Sequence, residues 1–80
     1  MFQKGQIVLV TEDVEENNTR GKLGKVVKIW GSDYKIGFFE KLDKSNGDTE
    51  HFIKEYGPIK STWWVKGHVL KSAISKNKFK

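Results

Sequence analysis

The 80-residue chain has no cysteine, a single proline and no apolar run of the roughly 20 residues that a membrane span needs. The lack of cysteine excludes a disulfide scaffold, a catalytic thiolate and a cysteine zinc site, and it favours the reducing cytoplasm. No phosphate-binding loop, dinucleotide-binding or metalloprotease string is present, and His51 and His68 do not have the spacing of metal ligands. We therefore expect one cytoplasmic domain that is not an enzyme and that holds no metal or cofactor.

Charge is distributed unevenly along the chain, which has a net charge of +5. Residues 12–16 hold four acids and no base, whereas residues 17–32 hold four bases and no acid, and residues 56–80 hold six lysines and no acid. Such segregation creates a positive face that suits an anionic partner and a smaller negative face that repels it. Lysines that keep a small β protein soluble and protect its edge strands give the same pattern, so this explanation remains open.

Short runs of β-branched and aromatic residues between glycine or Asn/Asp breaks favour an all-β fold. The predicted strands cover residues 6–11, 25–30, 34–39, 48–53 and 62–65, with a last pairing segment at 70–74. A long polar loop at 11–24 precedes tight turns at 31–33 and 45–48, and residues 66–70 predict a 3₁₀ turn. This order predicts a small SH3-like barrel of five to six antiparallel strands over residues 1–74, with a flexible basic tail at 75–80.

Strict alternation along these strands assigns the aromatic side chains to faces. It places Trp30 on the same face as Val26, opposite Val27. It also sends Trp63 and Trp64 to opposite faces, and we expect Trp64 to be the one that points outward. The chain has more aromatic rings than the core of a small barrel needs, so we expect some of them to be exposed. The alternative is that all of these rings lie in the core or beside it.

The stretch RGKLGKVVKI, with GQIVLV before it and YKIGFF after it, resembles the KOW motif of NusG-type transcription factors and of one large-subunit ribosomal protein. Gly24 matches the characteristic glycine of that motif. The resemblance covers about half of the chain and implies an SH3-like barrel whose loops contact RNA or protein. The acidic, lengthened loop TEDVEENNT departs from the motif and opposes phosphate.

The other half of the chain is similar in plan to two other SH3-like barrels, a small peripheral protein of photosystem I and the variable chain of ferredoxin-thioredoxin reductase. The segments that carry this similarity are GDTEHF and TWWVKGHVL. This similarity implies a protein-docking role.

Two partners therefore remain, and nucleic acid is slightly favoured. DNA or RNA would be bound by phosphate-contacting bases, stacking rings and rim lysines, namely Arg20, Lys22, Lys25, Lys28, Trp30, Trp64, Lys66 and Lys71. A partner protein would instead meet an aromatic face and the acidic first loop, namely Tyr34, Phe39, Trp64, Glu12, Asp13, Glu15 and Glu16. The short, cysteine-free chain without a catalytic signature also fits a regulator that is encoded by a phage or mobile element and binds a host protein.

Overall fold

The computed structural model describes residues 1–73 of the chain. The elements in chain order are β1 (Ile7–Val10), β2 (Leu23–Trp30), β3 (Asp33–Phe38), α1 (Thr49–Tyr56), β4 (Ser61–Lys66), a 3₁₀ turn (Gly67–Val69) and β5 (Leu70–Ser72). The predicted tail 75–80 and the end of the last predicted segment, at residue 74, lie outside the described residues. No helix among residues 1–73 is long and apolar enough to cross a membrane.

The five strands form one antiparallel sheet in the order β4-β3-β2-β1-β5. The long strand β2 pairs with β1 through its first half and with β3 along its length, and the 3₁₀ turn carries the chain from β4 to β5 at the opposite end of the sheet order. The predicted fold class, a small SH3-like barrel with a 3₁₀ turn before the last strand, is confirmed.

The predicted strand at 48–53 is wrong, because Thr49–Tyr56 forms a helix. Phe52 and Tyr56 are one helical turn apart and both pack against the sheet, which is a helical rather than a strand spacing. Asp48 occupies the N-cap position and Gly57 ends the helix with a positive φ of 88°. These start and stop signals are present in the sequence, but the alternating pattern of the same residues competes with them.

The sheet packs apolar side chains on both faces. The main core lies on the inner face and contains Val8, Val26, Ile36, Phe38 and Val65 among its members. A smaller cluster lies on the outer face, where Phe52 of α1 meets Val27 and Ile59. The helix thus covers part of the outer face and leaves the ends of β2, β3 and β4 open beyond it.

The β2–β3 hairpin is closed by Gly31 and Ser32, in agreement with the turn predicted at 31–33. Gly31 has a φ of 62° and Ser32 has an ordinary negative φ, which is the pattern of a type II′ turn. Because this turn follows the twist of the flanking strands, Trp30 and Asp33 lie directly opposite each other at its base.

The first loop is held by buried polar side chains rather than by strand pairing. Asn17 is 1% exposed; its amide donates to the Lys44 carbonyl at 3.0 Å and accepts from the Lys44 N–H at 3.0 Å. The Thr19 hydroxyl accepts from the Val14 N–H and donates to the Glu12 carbonyl. The polar loop predicted from composition is therefore an ordered structure attached to the segment around residue 44.

Candidate functional site

A β-bulge in β2 determines which side chains reach the outer face. Val26 pairs with Ile36, but Lys28 rather than Val27 pairs with Lys35, so Val27 is the extra residue. Beyond the bulge the alternation is shifted by one residue, and Lys28 and Trp30 therefore lie on the outer face. The prediction from strict alternation, which placed Trp30 on the same face as Val26, is wrong for this reason.

The pairing register of β2, β3 and β4 places six side chains in two rows on the outer face. Lys28, Lys35 and Trp64 are cross-strand neighbours in one row, and Trp30, Asp33 and Lys66 are neighbours in the next. We call these six residues the tryptophan face. With strands about 4.8 Å apart, the three-strand face is roughly 10 Å wide.

Trp30 is the most exposed ring of this face. It is 73% exposed, at the end of β2 where the hairpin turns. Burying such a ring against a ligand is favourable, because a large aromatic surface leaves water at the cost of few rotatable bonds. Trp64 is half-buried and packs over Lys35, as its ring centroid lies 5.5 Å from the Lys35 ammonium.

Lys35 is 4% exposed and is held by two rings and one carboxylate. Its ammonium lies 5.6 Å from the centroid of Phe52 and forms an ion pair with Asp48. Burial alone would raise the pKa of Asp48, but the hydrogen bond and charge of Lys35 outweigh it and lower that pKa below 3.8. Because the Asp48 side chain is turned toward Lys35, it makes no capping hydrogen bond to α1.

Asp33 and Lys66 form a second ion pair at the open end of the face. The Lys66 ammonium lies 2.7 Å from Oδ1 of Asp33, and both side chains remain substantially exposed. Lys66 also lines a cavity of about 430 Å³ at this end of the barrel, together with Phe2, Ser32, Tyr34 and His68. Asp33 and Trp30 are not among the residues that line this cavity, so it lies next to the tryptophan face and not on it.

Four of the eight residues predicted for nucleic-acid binding lie on this face, namely Lys28, Trp30, Trp64 and Lys66. The other four lie elsewhere. Arg20 and Lys22 belong to the first loop, where the Lys22 ammonium donates to the Asn18 carbonyl. The Lys25 ammonium lies 3.4 Å from the Tyr56 carbonyl at the end of α1, a favourable place for a cation. Lys71 lies on β5, at the opposite edge of the sheet.

The residues predicted for protein binding do not form one surface. Tyr34 is a core residue at 6% exposure, which corrects its assignment to an exposed aromatic face. Phe39 is half-buried just after β3. The acids Glu12, Asp13, Glu15 and Glu16 are on the first loop, and all four are exposed there.

The two adjacent tryptophans of β4 separate that acidic loop from the tryptophan face. Trp63 packs against the main core and its indole N–H donates to the Val14 carbonyl of the loop at 3.2 Å. Trp64 lies on the other side of the strand, beside Lys35. The loop that carries the acids therefore contacts β4 on the side opposite to Trp64 and the tryptophan face.

Two residues of the tryptophan face, Asp33 and Lys35, were missed by sequence reasoning. Asp33 reads as a turn residue in the sequence, although its position directly after Gly31 and Ser32 pairs it with Trp30. Lys35 reads as an ordinary outward lysine between Tyr34 and Ile36. Its burial depends on α1, which the sequence pattern did not predict.

Comparison with models of known protein families, with curated proteins and with solved structures finds no match for this chain. Within residues 1–73, no group of three or more His, Cys, Asp or Glu side chains is placed to hold a metal ion.

Proposed function

We propose that this protein is a non-enzymatic binding module for single-stranded nucleic acid and that the tryptophan face is its binding surface. The observation that carries this proposal is the exposure of Trp30 on an open three-strand surface shared with Trp64, Lys28 and Lys66. Unpaired bases can stack on flat aromatic rings, and the ammonium groups of neighbouring lysines can donate hydrogen bonds to phosphate oxygens. The KOW resemblance of β2 supports the same type of partner.

The charges of the face define what kind of binding to expect. Lys35 is paired with Asp48 and Lys66 with Asp33, so Lys28 is the one lysine of the face without an acidic partner among the described residues. We therefore expect stacking to contribute more than phosphate contacts. If Lys28 alone meets a phosphate, the slope of log K against log salt is about −0.7 for a single strand.

The test is a titration of fluorescent single-stranded and double-stranded DNA and RNA at ~50 and ~200 mM salt, a range over which phosphate-driven binding weakens. Single strands should bind more tightly than duplexes, because only unpaired bases can stack on Trp30. Trp30→Ala should weaken binding by about 5- to 150-fold, the range for loss of one stacked base. Lack of binding by the wild type at low salt would refute the proposal.

A matched control is Leu23→Ala, which removes another exposed apolar side chain from the same strand but away from the face. It should leave the affinity unchanged. An equal loss in both variants would mean that general exposure of apolar surface, and not stacking on Trp30, drives the association.

Protein docking is the second candidate, and the ordered acidic loop favours it. Glu15 and Glu16 are presented on a turn that is fixed by the buried Asn17 and Thr19, so they are pre-organised for a basic partner. Such a partner would meet the acidic loop and not the tryptophan face, and Trp30→Ala would then leave the complex intact.

A further inference from the structure

The pair formed by Asp33 and Lys66 is unusual for a surface that meets nucleic acid. A carboxylate repels phosphate, so its place in the middle of the second row, between Trp30 and Lys66, is a disadvantage for contacts to the backbone. A carboxylate can, however, accept hydrogen bonds from the edge of a base. Its position favours that second use.

The geometry of the pair determines which base edge it fits. Lys66 contacts Oδ1 of Asp33 at 2.7 Å, and Oδ2 has no hydrogen-bond partner within residues 1–73. The pair therefore presents a donor, the ammonium, next to an acceptor, the carboxylate. Trp30 is the direct cross-strand neighbour of Asp33, so a base that stacks on Trp30 brings its edge to this pair.

Guanine alone among the common bases matches this arrangement. Its Watson–Crick edge carries the O6 acceptor and then two adjacent donors, N1–H and N2–H₂. The two donors suit the carboxylate of Asp33, and O6 suits the ammonium of Lys66. Adenine and cytosine each place a ring-nitrogen acceptor beside their single amino donor, and thymine and uracil place a carbonyl oxygen on each side of N3–H. In each of these bases an acceptor would face the Asp33 carboxylate, which is itself an acceptor, and the two would repel each other.

We infer that Asp33 is a specificity residue that selects guanine at the position stacked on Trp30, with Lys66 as its partner on O6. This inference rests on the proposed function, because it requires that a single strand lies on the tryptophan face. The side chains of Lys66 and Asp33 are 58% and 36% exposed, so the edge of a base can reach both from the solvent side.

The experiment uses the full chain and a set of short thymidine oligonucleotides of about nine residues, within the site size of small single-strand binders. The central residue is dT, dG, dA, dC or deoxyinosine. Wild-type protein should bind the dG strand about fivefold more tightly than the dT strand, the lower end of the range for a bidentate base contact, since the site is open to water. Deoxyinosine lacks N2–H₂ and should fall between the two.

Asp33→Asn keeps the size of the side chain and should lower the ratio of dG to dT affinity from about five to about one. Lys28→Gln is the matched control, because it should weaken binding to all five strands equally and preserve the preference. Equal wild-type affinity for all five strands would overturn the assignment of Asp33 and leave the proposed function standing. A preference for dG that persists in Asp33→Asn would also overturn it.

Absence of binding to every strand would instead refute the proposed function, and with it the inference. Circular dichroism of Asp33→Asn should match the wild type, because the ion pair lies at the surface and contributes little to stability.

Discussion

The ion pair between Lys35 and Asp48 connects α1 to the sheet, and its removal from either side should have unequal effects on stability. Asp48→Asn leaves the Lys35 ammonium at 4% exposure without a counter-charge. Breaking a fully buried pair in this way costs about 3 to 5 kcal/mol. The Asp48 side chain is 44% exposed, however, so water can partly replace it. We therefore expect Asp48→Asn to lower the free energy of unfolding by about 1 to 2 kcal/mol.

Lys35→Met removes the charge but keeps an unbranched stem between the rings of Phe52 and Trp64. The lost cation–π attraction, about 0.5 to 1 kcal/mol for each ring, is offset because no charge has to be buried. We expect a net change within about 1 kcal/mol of the wild type. In the Lys35→Met background, Asp48→Asn should cost less than about 0.5 kcal/mol, since the two side chains no longer interact.

Urea unfolding followed by tryptophan fluorescence and circular dichroism gives the four free energies of this double-mutant cycle. A loss of 1 kcal/mol corresponds to a fall of about 4 to 8 °C in the melting temperature of a domain of this size. The prediction fails if Asp48→Asn lowers the free energy of unfolding by the same amount in the wild type and in the Lys35→Met variant. Another contact of Asp48, and not the ion pair with Lys35, would then have to explain the loss.

Two further predictions concern pH and the acidic turn. Because the pKa of Asp48 is lowered by folding, its contribution to stability is present above the unfolded value of 3.8 and is lost as the pH falls through the lower folded value. Urea midpoints between about pH 2 and pH 7 should therefore show wild type and Asp48→Asn converging at the acid end, and a constant difference would contradict the assignment. Glu15 and Glu16 have φ angles of 54° and 61°, which a type I′ turn requires but which cost a non-glycine residue about 1 to 2 kcal/mol each. The double change Glu15→Asn and Glu16→Gly should raise the free energy of unfolding by about 1 kcal/mol in the same urea assay, and a fall would show that the carboxylates themselves stabilise the loop.

Sequence alone predicted the five observed strands well, because each strand has a run of β-branched or aromatic residues that ends at a turn signal. Gly31 and Ser32 and the 3₁₀ turn at Gly67–Val69 were predictable for the same local reason. The helix was not, because eight residues with a single buried ring give a weak helical period. The helix packs against residues outside itself, Val27 on β2 and Ile59 just after the helix end, which a local pattern does not reveal.

The candidate site was predictable only in part. The composition indicated that tryptophan and lysine would form the site. Which of these residues lie together depends on the pairing register of β2, β3 and β4, which the sequence does not reveal. Because of the one-residue bulge at Val27, every later residue in β2 lies on the face opposite to the one that strict alternation predicts. The sequence does not mark the bulge, since it falls in a pair of valines and involves no glycine. Burial of Lys35 depended in turn on the helix.

The bulge at Val27 has an evolutionary consequence. A strand without this extra residue would still place Lys28 opposite Lys35 and Trp30 opposite Asp33, because the bulge absorbs Val27 without shifting the pairs on either side of it. Such a strand would lack the Val27 side chain, which packs with Phe52 of α1 and Ile59 on the outer face. A single codon insertion in β2 can therefore supply a contact for a helix while the β1–β2 register and the pairs of the tryptophan face stay as they are.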